Sequence, residues 1–238
     1  MNILQICQLV CYESNIPAPS AIVASTDPSV LQLRYLYIAT GEDLLSRRCW
    51  TFLKKTHSFT TSSGDGAYAL PSDFFSSIID TEWDQTNSWK LQGQLNDSVW
   101  NERLYGYASV DNVSAFRIFG LPSSDQFQID PTPGSTDLTL SFDYISNAWV
   151  RSSSNTYSSA VSADTDSAVF SDRLMKLGLK MKFYESKGWD YSKILVEFEK
   201  QIDIESGRFF KGKRISAEGR YLTYSGLDPN IPDGSWSI

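Results

Sequence analysis

Asp80, Glu82 and Asp84 stand at alternate positions, so in a strand all three carboxylates would share one face. Grouped carboxylates are what a glycoside hydrolase uses as acid and base, and these three are the chain's best case for catalysis. Nothing around them in the sequence announces a pocket, and the solvated face of a strand is the better account. The single histidine, His57, falls among threonines and serines of an expected strand. With no clustered ligand or partner base, it reads as a strand-surface residue. Gly64-Asp65-Gly66 lacks the following helix and the Lys-Ser or Lys-Thr pair of a phosphate loop. Asp164-Thr165-Asp166 could ligate a divalent cation, yet it precedes an apolar helical stripe, where acidic side chains cap a helix start. The expectation is therefore no catalytic residue, no metal site and no cofactor.

Residues suited to binding gather at the C-terminal end. Arg208, Lys211, Lys213 and Arg214 make residues 207–238 locally basic, and Phe209, Phe210, Tyr221, Tyr224 and Trp236 make them adhesive. Pro229 and Pro232 discourage helix there. Such a segment is either a frayed end or an extended arm that orders against a partner, and the arm is the better reading because exposed aromatic side chains are costly in a merely solvated tail.

The elements that must carry this arm are helical at both ends of the chain. Phe170, Leu174, Leu177, Met181 and Tyr184 draw one apolar stripe, Gly188 ends it, and Tyr191, Ile194, Phe198 and Ile202 draw a second after Asp190. The short connection makes the two helices an antiparallel pair. At the other end, Ile3, Ile6, Cys7 and Val10 fit a short amphipathic helix. Asp27 and Pro28 start a longer one through Leu31, Tyr35, Ile38, Leu45 and Cys49. Residues 1–49 and 164–206 are thus expected to form one antiparallel helical bundle.

Between them the periodicity changes to two. Trp50 and Phe52 read as the start of extended chain, and residues 59–61 and 68–70 as a hairpin around Gly64-Asp65-Gly66. Residues 78–83 and 88–92 read as further strands, and residues 97–104 as a helical interlude. Residues 116–119, 127–129 and 138–144 read as an antiparallel meander with one wet face. The fold class is α+β: a bundle from both termini, an inserted β-rich domain at 50–150, a mobile Ser-rich loop at 151–163 and the arm at 207–238.

The 238 residues are 41% hydrophobic and carry a net charge of −7, with a pI near 4.8. Such a balance argues against a surface that grips nucleic acid. No apolar run is long enough for a membrane span or secretory signal. Three cysteines, with Cys7 and Cys11 one helical turn apart, read as reduced thiols.

The succession of blocks resembles the head-to-tail adaptor, or connector, proteins of short-tailed bacteriophages. The blocks are Tyr68-Ala69-Leu70-Pro71-Ser72-Asp73-Phe74, Ile78-Ile79-Asp80-Thr81-Glu82-Trp83-Asp84, Phe116-Arg117-Ile118 and Phe142-Asp143-Tyr144-Ile145-Ser146-Asn147-Ala148-Trp149-Val150. Asp164-Thr165-Asp166, Leu177-Gly178-Leu179-Lys180, Lys187-Gly188-Trp189-Asp190-Tyr191 and Asn230-Ile231-Pro232-Asp233-Gly234 follow. Met181-Lys182 departs from an expected Trp-Arg pair. The resemblance implies a non-catalytic virion protein made in the host cytoplasm, closing into a ring of about twelve copies. It implies the portal protein above, a tail tube or nozzle protein below, double-stranded DNA passing through the lumen, and no membrane. A nozzle subunit of the same tail, a tail-associated glycan hydrolase and a carbohydrate-binding module are the alternative readings.

Overall fold

The computed structural model describes residues 1–106, 114–120, 124–134 and 137–209. α1 (Ile3–Glu13) opens on a reciprocal cap in which Asn2 accepts from the Gln5 N–H and Gln5 accepts from the Asn2 N–H. It buries Ile3, Ile6, Cys7, Val10 and Cys11. α2 (Pro28–Arg47) starts as its sequence signals, with Asp27 accepting from the Ser29 N–H and Pro28 in the first turn. Its inward face differs from the expected stripe: Leu33, Tyr37, Thr40, Gly41, Leu44 and Leu45 are buried, whereas Tyr35 is 66% exposed. The cause is a distant ring. A Cβ on Gly41 would lie 2.4 Å from Trp149, so this bare backbone surface must face inward and fixes the helix's rotation.

A 3₁₀ turn at Thr51–Leu53 replaces the expected extended start. β1 (Lys54–Thr60), β2 (Ala67–Ala69), β3 (Phe74–Ser77), β4 (Trp83–Asp84) and β5 (Trp89–Lys90) follow, then α3 (Asp97–Tyr105), β6 (Ala115–Phe119), β7 (Gln126–Asp130) and β8 (Thr139–Ser146). β8 is the hub. One edge pairs with β1 throughout, from Lys54 opposite Ile145 to Thr60 opposite Thr139. The other edge pairs with β3 and with β4, which carries β5 outward. β2, β7 and β6 make a second antiparallel sheet.

Two expectations therefore fail. β1 and β2 are no hairpin, because each finds its partner more than fifty residues downstream. Only β6 and β7 of the expected meander are neighbours, since β8 joins the other sheet. Period-two patterning locates strands but is silent on pairing. In α3, Trp100 faces inward while Val99 and Leu104 are exposed, because the Arg117 guanidinium stacks 4.6 Å from the Trp100 ring.

The Ser-rich stretch is a folded hairpin, not a loose loop. β9 (Val150–Arg151) lies between β10 (Tyr157–Ser158) and β11 (Ser167–Ala168), and the Ser152 N–H donates to the Thr156 carbonyl across the turn. α4 (Asp172–Lys187) is capped by Ser171, which accepts from the Leu174 N–H, and ends at left-handed Gly188, φ 69°. Asp190 accepts from the Ser192 N–H and hydroxyl at the head of α5 (Ser192–Phe209).

α4 packs against α1, α2 and α5. A Cβ on Gly178 would meet Thr40 of α2 at 2.4 Å and the Phe198 ring of α5 at 2.9 Å, so glycine lets three helices converge. Helices from both ends share one apolar cluster, which also takes in Trp50, Leu53, Ile145, Trp149 and Val150. A second cluster, built on Phe116, Phe127, Leu140, Phe142 and Tyr144, fills the space between the two sheets. β8 belongs to both.

Candidate interaction site

The three alternating carboxylates do not share a strand face. Asp80 sits in the turn before β4 with φ 70°, which breaks the alternation, and pairs with Lys90 at 2.7 Å. Glu82 and Asp84 are each only 2% exposed, so the expected solvated face is also wrong. Asp84 holds the β4–β5 turn, accepting from the N–H groups of Thr86 at 2.9 Å and Asn87 at 3.1 Å and from the Asn87 amide at 2.7 Å. Burial pushes the Glu82 carboxyl up, against hydrogen bonds from its own and the Thr81 backbone N–H. One exposed and two enclosed carboxylates with separate tasks make no acid–base pair.

Asp164 and Asp166 do not cap α4, whose cap is Ser171. Asp164 instead accepts from the N–H groups of Ile22 and Val23, at 3.0 and 2.7 Å, and ties the α1–α2 connection to the far end of the chain. Asp166 accepts from the N–H groups of Ser162 and Ala163 and from the Ser162 hydroxyl. Among the described residues no group of three or more metal-ligating side chains converges. His57 stands on β1 as expected, half-buried against Phe59 and Phe142, and burial lowers its pKa, favouring the neutral ring.

Among the described residues are two open clefts. One of about 320 Å³ lies by Leu70, Ser72, Phe74, Ser124, Asp125 and Asn147, with a single carboxylate. The other, about 430 Å³, lies by Met1, Leu9, Asp172, Arg173, Lys176, Leu177 and Glu197. Here the Met1 ammonium is paired with Asp172 at 2.7 Å.

The candidate binding residues divide at Phe209. α5 continues to that residue, so Arg208 and Phe209 belong to its last turn and not to an extended arm. The helix outruns its apolar stripe because Glu205 is held from two sides, by the Ser171 hydroxyl and, at 2.7 Å, by the Gln201 amide. Phe210, Lys211, Lys213, Arg214, Tyr221, Tyr224 and Trp236 lie outside the described residues.

Sequence reasoning missed several exposed apolar side chains on the β region. Ile79 is 70% exposed, Trp89 58%, Tyr105 82% and Phe119 51%, with Phe75 and Trp83 also open. Aromatic residues bracketing short turns were their only signal.

Sequence reasoning also missed the role of Asp73. Its carboxylate takes Lys55 Nζ at 2.6 Å, the Tyr144 hydroxyl at 2.8 Å and the Ser146 hydroxyl at 2.7 Å, pinning β3 and β1 to β8. Burial opposes ionisation, but the Lys55 ammonium and the two hydroxyls outweigh it and hold the pKa at about 2. A carboxylate depressed below its unfolded pKa stabilises the fold above that pKa and loses the contribution as pH falls. Asp73→Asn should therefore cost about 1.5 kcal/mol at pH 7, since Lys55 is partly open to water and screened. The wild-type advantage should fade between about pH 4 and pH 2. Urea midpoints of both proteins across that range check it; a pH-independent difference would show that the carboxylate's charge is not the cause.

A family model described as SU10 adaptor protein matches residues 1–200, and the chain belongs to this family of phage adaptor proteins. The matched residues stop inside α5, so residues 207–238, with the Asn230-Ile231-Pro232-Asp233-Gly234 block, lie beyond them. No curated protein matches the sequence. Among the described residues no helix is long and apolar enough to cross a membrane.

Proposed function

We propose that this adaptor closes into a ring of about twelve copies beneath the portal of a short-tailed phage. The ring continues the DNA channel and gives the tail tube or nozzle its docking surface. Family membership carries the reading, and the exposed side chains of Ile79, Trp89, Tyr105 and Phe119 support it, because a ring subunit needs apolar groups that neighbours can cover. On this reading the C-terminal arm reaches the portal or a neighbouring subunit. The net charge of −7 suits a lumen that duplex DNA slides past, since a channel binding phosphates tightly would hold it back. Arg208, Lys211, Lys213 and Arg214 then face protein.

The isolated protein should be a monomer or a weak oligomer that closes only on portal rings, where contacts with neighbouring subunits stabilise the closed ring. Native mass measurement of the protein alone, and then with portal, tests this. A stable dodecamer without portal at low concentration, or salt-sensitive duplex binding by the free subunit, would contradict it.

A further inference from the structure

Glu82 turns its carboxyl toward the core of the β region. Trp83 lies opposite Ser141 and Asp84 opposite Leu140, and the same register continued by one residue sets Glu82 beside Phe142. On the other side, the Leu91 N–H donates to the Glu82 carbonyl at 3.0 Å. Leu91, Leu140 and Phe142 all belong to the apolar cluster between the sheets, and alternation puts the Glu82 side chain on their face. Its Oε2 is shut off from water. A carboxylate enclosed among such side chains is far costlier than a neutral carboxyl, and burial accordingly raises the Glu82 pKa. The charged groups that act on it are Asp80, which opposes ionisation, and Lys90, which favours it; these two pair with each other. Asp84 shares its face but is turned into the N–H groups of the following turn. β1 contributes His57, which packs on Phe142 and is held toward its neutral form.

The segment that bears Glu82 is tied down at both ends. Before it, Thr81 Oγ1 accepts from the Asp143 N–H at 3.0 Å. After it, Gln92 donates to the Ser114 carbonyl and accepts from the Phe116 N–H, both at 2.9 Å. Asp80, at φ 70°, and Gly93, at φ 155°, flank these ties. Between them, β4 and β5 are two residues long apiece. β4 meets β8 through Trp83 and Asp84, with the Gln85 N–H donating to the Thr139 carbonyl and the Thr139 N–H to the Thr86 hydroxyl. A short hairpin fixed at two points is the kind of unit that opens locally while the sheet behind it stays intact.

We propose that residues 82–91 form a flap that swings off β8 between the Thr81 and Gln92 ties, and that Glu82 makes the swing depend on pH. Closed, Glu82 is a neutral carboxyl. Open, it is a hydrated carboxylate, and its proton goes to water. Closure is therefore strongest below the ordinary glutamate pKa of about 4.3 and weakens as pH rises, until the closed-state carboxyl ionises as well. Trp83 and Trp89 ride on the flap, so its opening moves two exposed rings together.

Amide hydrogen exchange of the intact chain tests both parts. At pH 7 the Gln85 and Leu91 amides should exchange at least about tenfold faster than the β8 amides bonded to β1, because the flap opens without the sheet. Their opening constants in the wild type, divided by those in Glu82→Gln, should be steady below about pH 4 and then grow at least about threefold by pH 7. Taking this ratio cancels the intrinsic pH dependence of exchange. Equal rates in flap and sheet would overturn the flap, and a ratio that ignores pH would overturn the part given to Glu82. Carbon-13 titration of the Glu82 carboxyl in the wild type follows the same proton without a variant. A midpoint at or below that of an ordinary glutamate would also overturn it. Neither measurement needs portal or ring closure, so failure here leaves the ring reading standing, and a failed ring leaves the flap testable.

Discussion

Trp149→Ala should destabilise the protein by about 4 kcal/mol, the cost of removing a large ring from a closed core and leaving a cavity. Trp149 is 1% exposed and lies between Tyr37 at 6.1 Å and Phe170 at 6.3 Å. Its own backbone is fixed, with its N–H donating to the Asn147 carbonyl and its carbonyl accepting from Val169. Because the ring lies against Gly41 of α2, its loss opens a gap between the helices and the end of β8. The reciprocal change, Gly41→Leu, should cost about 2 kcal/mol or more through overpacking, even though leucine favours helix over glycine. Total stabilities of about 5–15 kcal/mol make either loss easy to read in urea unfolding. A Trp149→Ala cost under about 1 kcal/mol would mean that the site collapses freely and the ring does not set the helix rotation.

Removing residues 210–238 should leave the body folded and weaken docking onto portal rings at least a hundredfold. Among the described residues the two apolar clusters draw no member from beyond Ile202. Docking is another matter, because on the proposed reading several arms around a ring multiply a weak contact through effective concentration. The cut belongs after Phe209. Truncation at 206 would remove the last turn of α5 and confuse a folding defect with a binding one. Co-sedimentation of the truncated and intact chains with purified portal distinguishes them; unchanged affinity would show that the segment plays no part in docking.

Much of the helical layer was legible because its signals are local. Asp27 with Pro28, Gly188 with Asp190, and the stripe from Phe170 to Tyr184 all act within a turn or two of the residues that carry them. The rotation of α2 was not, because it is decided by Trp149, more than a hundred residues away. Strand positions were legible from alternation, but their partners were not: β8 takes partners from three separate stretches, and nothing in its own sequence names them. The carboxylates misled for the same reason. Whether Asp84 is a solvated surface group or the buried holder of a turn depends on Asn87 folding back onto it. For the candidate arm, composition gave the character of residues 207–238, while the reach of α5 to Phe209 depended on a contact from Glu205 to the distant Ser171.

The β1–β8 pairing also dictates an order of events during synthesis. β1 meets β8 only after the whole stretch between Thr61 and Leu138 has been looped out, a closure that is slow to reach although it adds little to the final free energy. α1 and α2 wait longer still, because α4, the surface they pack on, is made afterwards. At about 5–20 residues per second, their apolar faces stay uncovered for on the order of ten seconds on each ribosome. Over that interval Ile3, Ile6, Val10, Leu33 and Leu44 have only each other to bury against. Yield in the host should then depend on chaperone capacity, and slowing translation between α2 and α4 should raise the insoluble fraction without altering the finished fold.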